Sequence, residues 1–416
     1  MEMRGIGRAC VVVLAGLLVA CAAGPMRPPG ATVGAMTAMA IVPGTVLARL
    51  SARVDPGLVA QRHGFAVDRA IGLGMVRLVP EPGGRASADD LRRDPAVEWV
   101  EAERGWQAPG VAGRPVVSPE GAGDGDPLVP AQWGYGMLDG PALAAAGHKG
   151  VREVTVAIVD SGIDGAHPEF AGQLVPGWDF TPKLPGAGGD RDGYGHGTHV
   201  AGVVGARSGN GEGIAGLAPG CGLMPVRIFN DFGHTRDGIA AEAVIWAADH
   251  GARVINCSWG SPMDGEAMRA AIAYAASRDV VVVAAVGNSG KNEPNWPGAH
   301  PDAIGVAAST DLDGWASFST WGDWVDLAAP GKGVLSTYPV ALGNGYRTME
   351  GTSMAAPFVT AAAALVRSAH PDWSALRVRE ALEQTAKDTV MTGRDGYSGF
   401  GRVAPRAAIA YVGLGR

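Results

Sequence analysis

The stretch VTVAIVDSGID, residues 154–164, joins six apolar or β-branched residues to Asp160 and a Ser-Gly turn. A continuous run of this kind predicts a strand buried on both faces, as in a parallel sheet. Other apolar runs of strand length lie at 223–229, 254–257, 280–285 and 304–307, and helical segments lie at 198–205, 238–250, 265–277, 352–369 and 374–386. This alternation predicts a doubly wound α/β domain, whose ligand sites lie beyond the carboxyl ends of the strands.

Four short motifs place polar side chains at such strand ends and helix starts. Asp160 ends the strand just quoted, and GHGTHVAG (195–202) places His196 at the start of a helix rich in small residues. GTSMAAP (351–357) places Ser353 in a turn into a helix, and AAVGNSG (284–290) places Asn288 after a buried strand. Each residue alone has a structural explanation, as a cap, a packed histidine or a turn residue. Together they supply a base, the group that orients it, a nucleophile and an oxyanion donor.

These motifs, in the order Asp, His, Asn, Ser, resemble those of the subtilisin-like serine proteases, and the resemblance runs from about Asp126 to the C-terminus. Three further segments agree with it: GIAGLAP (213–219), ASFS (316–319) and VDLAAPG (325–331). The resemblance implies a subtilisin-type catalytic domain over residues 126–416. It also implies a serine endopeptidase with Asp160, His196 and Ser353 as the triad and Asn288 completing the oxyanion hole. His199 is then a packed structural histidine.

The resemblance also assigns substrate contacts, and the spacing through 288–297 is closer to the thermitase-like branch of the family. It implies that Ser258, Trp259 and Gly260 form one wall of the primary specificity pocket and that Phe232, Gly233 and His234 offer an edge strand. An extended polypeptide would pair with these edges, which gives broad sequence tolerance. Trp259 and Trp296 would line an apolar site, so an aromatic or large aliphatic residue is expected at P1, the residue whose carbonyl is attacked.

The family commonly binds structural calcium. By resemblance, the ligands here would be Asp126, Glu169 and Asn210, although the family usually has Asp where this chain has Glu169. A second acidic cluster falls where the thermitase-like branch has another site: Asp179, Asp190 and Asp192. A solvated acidic loop is the alternative interpretation of the second cluster.

The N-terminus has the pattern of an export signal. Arg4 and Arg8 precede an apolar run, residues 9–20, that is too short to span a bilayer comfortably. The sequence LVAC (18–21) resembles a bacterial lipobox, which implies lipidation of Cys21; an ordinary secretory signal is the alternative. We therefore expect a signal peptide over 1–21, a linker over 22–40, and a protein exported from a bacterial cell and lipid-anchored or released.

Residues 41–106 form a second patterned region. Short strand-like segments at 45–50, 74–79 and 97–101 surround a possible helix near 86–93, which predicts a small α+β unit. Its position and size resemble those of the family's inhibitory propeptide. Residues 107–125 are rich in Pro, Gly, Asp and Ser and predict a linker, so we expect an autoprocessed zymogen that is cut between about Gly105 and Asp126.

Composition limits the remaining functions. A formal net charge of −7, with 18% charged residues, gives no electrostatic footprint for nucleic acid.

Cys221 lies before one predicted strand and Cys257 at the far end of another, so both are predicted to be free thiols. The expected partners are polypeptide substrates and the protein's own propeptide, and the expected state is a monomer. Two alternatives stay open: a dedicated maturation protease for one partner, and an inactive peptide-binding protein.

Overall fold

A computed structural model describes residues 38–118, 125–181 and 185–412. The predicted signal peptide, Cys21 and nearly all of the 22–40 linker lie outside these residues. The N-terminal elements are β1 (Ala38–Leu50), α1 (Pro56–Arg62), β2 (Phe65–Gly72), β3 (Met75–Pro80), α2 (Ala88–Arg92) and β4 (Val97–Gln107). None of the helices in the part of the chain that the structure covers is both long and apolar enough to cross a membrane.

The elements that follow alternate between strands and helices, as the sequence predicts for an α/β domain. In chain order they are β5 (Gly113–Val116), α3 (Trp133–Met137), α4 (Gly140–Ala145), β6 (Thr155–Asp160), β7 (Trp178–Asp179), β8 (Gly186–Ala187), α5 (His196–Gly205), β9 (Gly222–Arg227), β10 (His234–Arg236), α6 (Asp237–Asp249) and β11 (Ala252–Cys257). The remainder are α7 (Glu266–Ser277), β12 (Val281–Ala285), β13 (Ala303–Ser309), β14 (Leu327–Pro330), β15 (Val334–Thr337), β16 (Tyr346–Met349), α8 (Thr352–Ala369), α9 (Ala375–Gln384) and α10 (Pro405–Ile409).

The largest sheet has the order β14-β13-β12-β11-β6-β9-β7-β8, and all of its pairs except β7 with β8 are parallel. Successive side chains of a strand point to opposite faces. In β6, Val156 and Ile158 therefore join the core that contains α5 and α8, whereas Ala157 and Val159 join the core that contains α6 and α7. Helices cover both faces, which confirms the predicted doubly wound architecture.

The N-terminal elements form a small antiparallel sheet with its own core. Its order is β4-β1-β3-β2, and α1 and α2 pack on one face of it around Leu78 and Leu91. The other face contributes Leu47, Ile71, Met75 and Trp106 to the core that contains α6 and α7. β4 also continues this sheet onto β10, an edge strand of the larger domain. The α+β unit expected at 41–106 is thus present and packed against the α/β domain.

The structure contains several strands that the sequence did not predict. The region expected as a linker, 107–125, contains β5, which pairs antiparallel with β16. The Gly- and Pro-rich composition of this region does not predict a strand, and the strand that pairs with β5 lies more than 200 residues later in the chain. β2 was also missed, because only some of its residues alternate between buried and exposed positions.

Cys221 and Cys257 are both buried and unpaired, as predicted. Burial raises the pKa of the Cys221 thiol to about 11 and that of Cys257 higher still. We therefore expect neither thiol to react with iodoacetamide at pH 8 in the folded protein, and both to react once it is unfolded without reductant. Peptide mass mapping measures this; a peptide cross-linked through the two cysteines would show that the prediction is wrong.

Candidate active site

The polar residues singled out in the sequence meet at the carboxyl edge of the large sheet. Asp160 is the last residue of β6, Ser258 directly follows β11, and Asn288 follows β12 by three residues. Because β6, β11 and β12 are neighbours, these residues come together at one edge. Ser353 joins them from the second position of α8. Its hydroxyl donates to the Ser258 carbonyl at 2.9 Å, and the Ser258 hydroxyl donates to the Ser353 carbonyl at 2.8 Å.

Asp160 and His196 form a buried hydrogen-bonded pair. Nδ1 of His196 lies 2.8 and 3.0 Å from the two carboxylate oxygens of Asp160. His196 is 1% exposed and Asp160 is 0% exposed. The backbone N–H of Ser161 donates to the same carboxylate at 2.7 Å. A carboxylate accepts but does not donate, so the imidazole carries its proton on Nδ1 and presents Nε2 as the basic nitrogen.

The first turn of α5 is fixed against β6 by close backbone contact. The N–H of Gly197 donates to the Ser161 hydroxyl at 2.9 Å. A Cβ at residue 197 would overlap the carbonyl oxygen of Gly162 and lie 3.1 Å from the Cβ of Asp160. Only glycine therefore allows the helix to approach closely enough for His196 to reach Asp160.

Asp192 holds the same turn from the other side. One carboxylate oxygen accepts the N–H groups of Tyr194 and Gly195, and the other accepts both the N–H and the hydroxyl of Thr198. These bonds satisfy donors that the start of a helix leaves free. Asp192 is thus the helix cap that positions His196, a role that the sequence did not reveal, because an aspartate in a Gly-rich acidic loop also matches a metal ligand.

Asn288 and Ser353 line one cavity, together with Trp259, Gly260 and Thr352. The side-chain oxygen of Asn288 accepts the N–H of Thr352 at 2.8 Å and its hydroxyl at 3.0 Å. Its amide NH₂ is therefore left on the side of Gly351 and Ser353, where a Cβ on Gly351 would lie 3.4 Å from it. As the second residue of α8, Ser353 also has a backbone N–H that the helix does not use.

The hydrogen bond between Ser353 and His196 is not made in this structure. The Ser353 hydroxyl is turned to Ser258, and the buried Nε2 of His196 has no hydrogen-bond partner among the residues described. Catalytic hydrogen bonds are often long or misaligned without substrate and tighten when it binds. The serine hydroxyl needs to rotate toward His196 before it can pass on its proton.

His199 has a structural position, as predicted. Its Nε2 lies 3.1 and 3.0 Å from the carbonyl oxygens of Val334 and Arg347, to which it donates. Burial is the main cause that lowers its pKa to about 3, so the ring stays neutral. His199 ties α5 to β15 and β16.

The cavity beside Ser353 has a volume of about 140 Å³ and a mostly apolar lining. Of the wall expected at residues 258–260, Trp259 and Gly260 line it, whereas Ser258 is buried behind them. Pro262, Ala285 and Gly287 add apolar surface, and Glu293 lies at the rim. The expectation for Trp296 was wrong: it is absent from the lining, and its backbone pairs with Ser261 instead.

The substrate edge expected at Phe232, Gly233 and His234 is covered by the chain's own residues. Gln107 of β4 pairs with His234, and the Ala108 N–H donates to the Gly233 carbonyl at 2.6 Å. The next residue, Pro109, lines the cavity that contains Ser353. The Phe232 side chain stays 75% exposed.

Comparison with known proteins agrees with this geometry. The model of the Subtilase family matches residues 151–401. The chain belongs to the subtilase family. Thermitase from Thermoactinomyces vulgaris is 40% identical over 62% of this chain and 88% of its own length. Subtilisin Savinase from Lederbergia lenta is 39% identical over 61% of this chain and 90% of its own.

A further match extends over more of the chain. The alkaline protease of Shouchella clausii is 36% identical over 75% of this chain and 73% of its own length. The family and these relatives identify the chain as a serine endopeptidase with the α/β subtilisin fold, which acts on polypeptides.

The residues that the subtilase resemblance assigns to calcium do come together. Asn210 contacts both carboxylates, since its backbone N–H donates to Asp126 at 3.0 Å and its side-chain NH₂ donates to Glu169 at 3.0 Å. Glu169 also accepts the N–H of Ile214 and the hydroxyl of Tyr346, and burial raises its pKa to about 7. Calcium needs oxygen lone pairs. N–H and O–H donors point at these carboxylates instead, so the arrangement does not fit a bound cation.

The second acidic cluster is also engaged by protein groups. Asp179 pairs with Arg227 at 2.7 Å, and Asp192 caps α5 as described above. No group of three or more His, Cys, Asp or Glu side chains placed to hold a metal ion occurs in residues 38–118, 125–181 and 185–412.

We predict that Gly197→Ala lowers kcat/KM by more than about tenfold, which corresponds to about 1.4 kcal/mol of transition-state stabilisation. The added methyl group has to push α5 away from Gly162 and Asp160, which lengthens the Asp160–His196 bond. Steady-state hydrolysis of an unstructured peptide measures the effect.

The matched control is Gly136→Ala, because a Cβ there meets no atom within 4 Å. That variant should keep the wild-type kcat/KM. Equal activity of the two variants would show that close packing at residue 197 is not needed.

Proposed function

We propose that this endopeptidase cleaves peptide bonds through an acyl-enzyme formed on Ser353. His196 acts as the general base and then the general acid, Asp160 orients His196, and Asn288 and the Ser353 N–H stabilise the oxyanion. The observation that carries the proposal is the buried Asp160–His196 pair at 2.8 Å, beside a cavity that Ser353 and Asn288 share.

In acylation, the Ser353 oxygen attacks the substrate carbonyl carbon while its proton passes to Nε2 of His196. The imidazolium is stabilised by Asp160, which keeps its own negative charge. The negative charge that develops on the carbonyl oxygen is met by the amide of Asn288 and the N–H of Ser353, aided by the N-terminal end of α8. The intermediate collapses when His196 gives its proton to the leaving amine, and the C–N bond breaks.

In deacylation, a water molecule takes the place of the amine. His196 removes a proton from it, the hydroxyl attacks the acyl carbon, and His196 returns the proton to the Ser353 oxygen as the ester bond breaks. The products are a carboxylic acid and the free enzyme, so one water is consumed for each bond cut.

The chain is made as a zymogen, with residues 41–106 as its inhibitory propeptide. Three observations support this: β4 pairs with β10, Pro109 lines the cavity beside Ser353, and β5 continues beyond it to β16. The segment from Gly105 to Val116 thereby crosses the active site and excludes other polypeptides. The activating cut falls between Gly105 and Asp126, and the enzyme makes it on its own chain.

The P1 residue of other substrates is aromatic or large aliphatic. Trp259, Pro262 and Ala285 make the lining largely apolar, and the carboxylate at its rim, Glu293, lies 3.7 Å from the ammonium group of Lys291. A charged P1 side chain would lose its hydration in such a cavity.

The protein is exported from a bacterial cell by the signal peptide predicted at 1–21 and acts as a monomer. Lipidation at Cys21 would tether the precursor, and a cut between Gly105 and Asp126 would release the catalytic domain. A dedicated maturation protease for one partner is the alternative for its role. The resemblance predicts calcium at Asp126, Glu169 and Asn210, but their hydrogen bonds do not fit a bound cation, so calcium is left out of this proposal and no step above depends on it.

Ser353→Ala should abolish labelling by a fluorophosphonate probe and leave the precursor uncleaved, because the nucleophile is lost. Ser317→Ala removes an exposed serine and serves as the matched control; it should be labelled and processed normally. Gel fluorescence and mass spectrometry of the N-terminus measure both results. Labelling of the Ser353→Ala protein would contradict the proposal.

Asn288→Ala should be processed slowly and show a kcat lower by about 10²–10³, the effect known for an oxyanion-hole asparagine in subtilisin. KM should change little, because the amide bonds the transition state more strongly than the substrate. A loss confined to KM would assign Asn288 to substrate binding instead.

We expect EGTA to leave the melting temperature of the Ser353→Ala protein unchanged, because Asp126 and Glu169 already accept protein hydrogen bonds. The inactive variant prevents self-digestion during the measurement by calorimetry. A fall that calcium, but not magnesium, reverses would show that the side chains rearrange around an ion and that the resemblance predicts the site correctly.

A further inference from the structure

The segment 104–109 shows how this cleft binds a polypeptide. Trp106 pairs with Thr235 and Gln107 with His234, and the Ala108 N–H donates to the Gly233 carbonyl. Pro109 then lines the cavity beside Ser353 and, as the residue after Ala108, corresponds to P1 in this register. Counting back, Trp106 is at P4 and Arg104 at P6. Because these bonds use backbone atoms, a substrate in the same register places its own P4 and P6 side chains in the same positions.

The P4 side chain enters a closed apolar site. Trp106 is 2% exposed, and its ring lies on that of Trp259 with centroids 5.2 Å apart. Both rings belong to the core that α6 and α7 form with the sheet. An aromatic side chain at P4 therefore packs on Trp259 of the catalytic domain, in a core to which Leu47, Ile71 and Met75 of the N-terminal unit also contribute.

Asp237 adds a buried carboxylate to this apolar site. It is the first residue of α6 and 4% exposed, and its carboxylate accepts the indole N–H of Trp106 at 2.6 Å. The other carboxylate oxygen accepts Nε of Arg104 at 2.7 Å and the backbone N–H of Arg104 at 3.1 Å. One buried carboxylate thus bonds the P4 and P6 side chains together. A second contact on Arg104 comes from the carbonyl of Asp264, 3.4 Å from Nη1.

We propose that Asp237 is a specificity-determining residue that selects polypeptides with tryptophan at P4 and arginine at P6. A buried acceptor is satisfied by an indole N–H but left unpaired by phenylalanine or leucine, which costs affinity for those residues. A buried carboxylate without a cation is likewise unfavourable, and arginine at P6 supplies the charge. The inference rests on the proposed function and narrows it, since broad tolerance of sequence no longer holds at P4 and P6.

Four internally quenched peptides test the proposal. They share an apolar P1 residue and the remaining positions, and combine Arg or Gln at P6 with Trp or Phe at P4. For the processed wild-type enzyme we expect kcat/KM to be at least about tenfold higher for Trp than for Phe, and at least about fivefold higher for Arg than for Gln. The Asp237→Asn variant should lose the Arg preference and keep part of the Trp preference, because Asn retains an acceptor oxygen but no charge.

Asp249→Asn is the matched control, since it makes the same change on α6 at a residue that hydrogen-bonds Tyr274 on the surface. It should keep both preferences. If Asp237→Asn does not fold, the four wild-type values decide alone. Equal kcat/KM for all four peptides, or unchanged preferences in Asp237→Asn, would overturn the inference while the proposed function stands. Failure of the wild-type enzyme to hydrolyse any peptide or to react with a fluorophosphonate would refute both.

Discussion

The site depends on keeping a charged carboxylate, Asp160, in the interior of the protein beside a neutral imidazole. A buried charge is tolerated only when hydrogen bonds replace its water. The N–H of Ser161 and Nδ1 of His196 do this, so the same contacts that make Asp160 stable also fix the orientation of the base. Gly197 and Asp192 add no chemistry of their own. They hold α5 where the Asp160–His196 pair can form, which makes the start of this helix as constrained as the pair itself.

In the proposed zymogen, the same edge of the catalytic domain binds the N-terminal unit and, after activation, the substrate. β10 offers backbone groups that any extended chain can bond, and in the precursor β4 takes them. The N-terminal unit adds contacts that a short substrate lacks: Glu101 accepts the first N–H groups of α7, and Arg69 of β2 pairs with Glu242 of α6. We therefore expect the N-terminal unit to bind more strongly than a peptide of the same cleft sequence. Its affinity comes from the contacts of the packed N-terminal unit, whereas its register in the cleft comes from the pairing of β4 with β10.

How much of this follows from the sequence depends on the kind of element. The five longest parallel strands of the large sheet are continuous apolar runs and were predicted to within a few residues, whereas the shorter β7 and β14 were not predicted. The four candidate catalytic residues were singled out because each lies in a motif at a strand end or helix start. β5 and β16 were not found, because each is four residues long and stable only through pairing with a strand distant in the chain. Trp296 was misplaced because sequence proximity to Asn288 does not tell which way a side chain points.

The buried aspartates show most clearly which features cannot be predicted from the sequence. Asp160, Asp192 and Asp237 are all buried aspartates beside a helix start, yet the first orients a histidine, the second caps a helix and the third binds the indole and guanidinium of the chain's own strand. Because each carboxylate is buried, it needs hydrogen-bond donors, and the identity of these donors determines the role of the aspartate. Those donors come from residues 1 to 133 positions away in the chain. Local sequence therefore indicates that a carboxylate is buried, but only the fold determines which chemistry it performs.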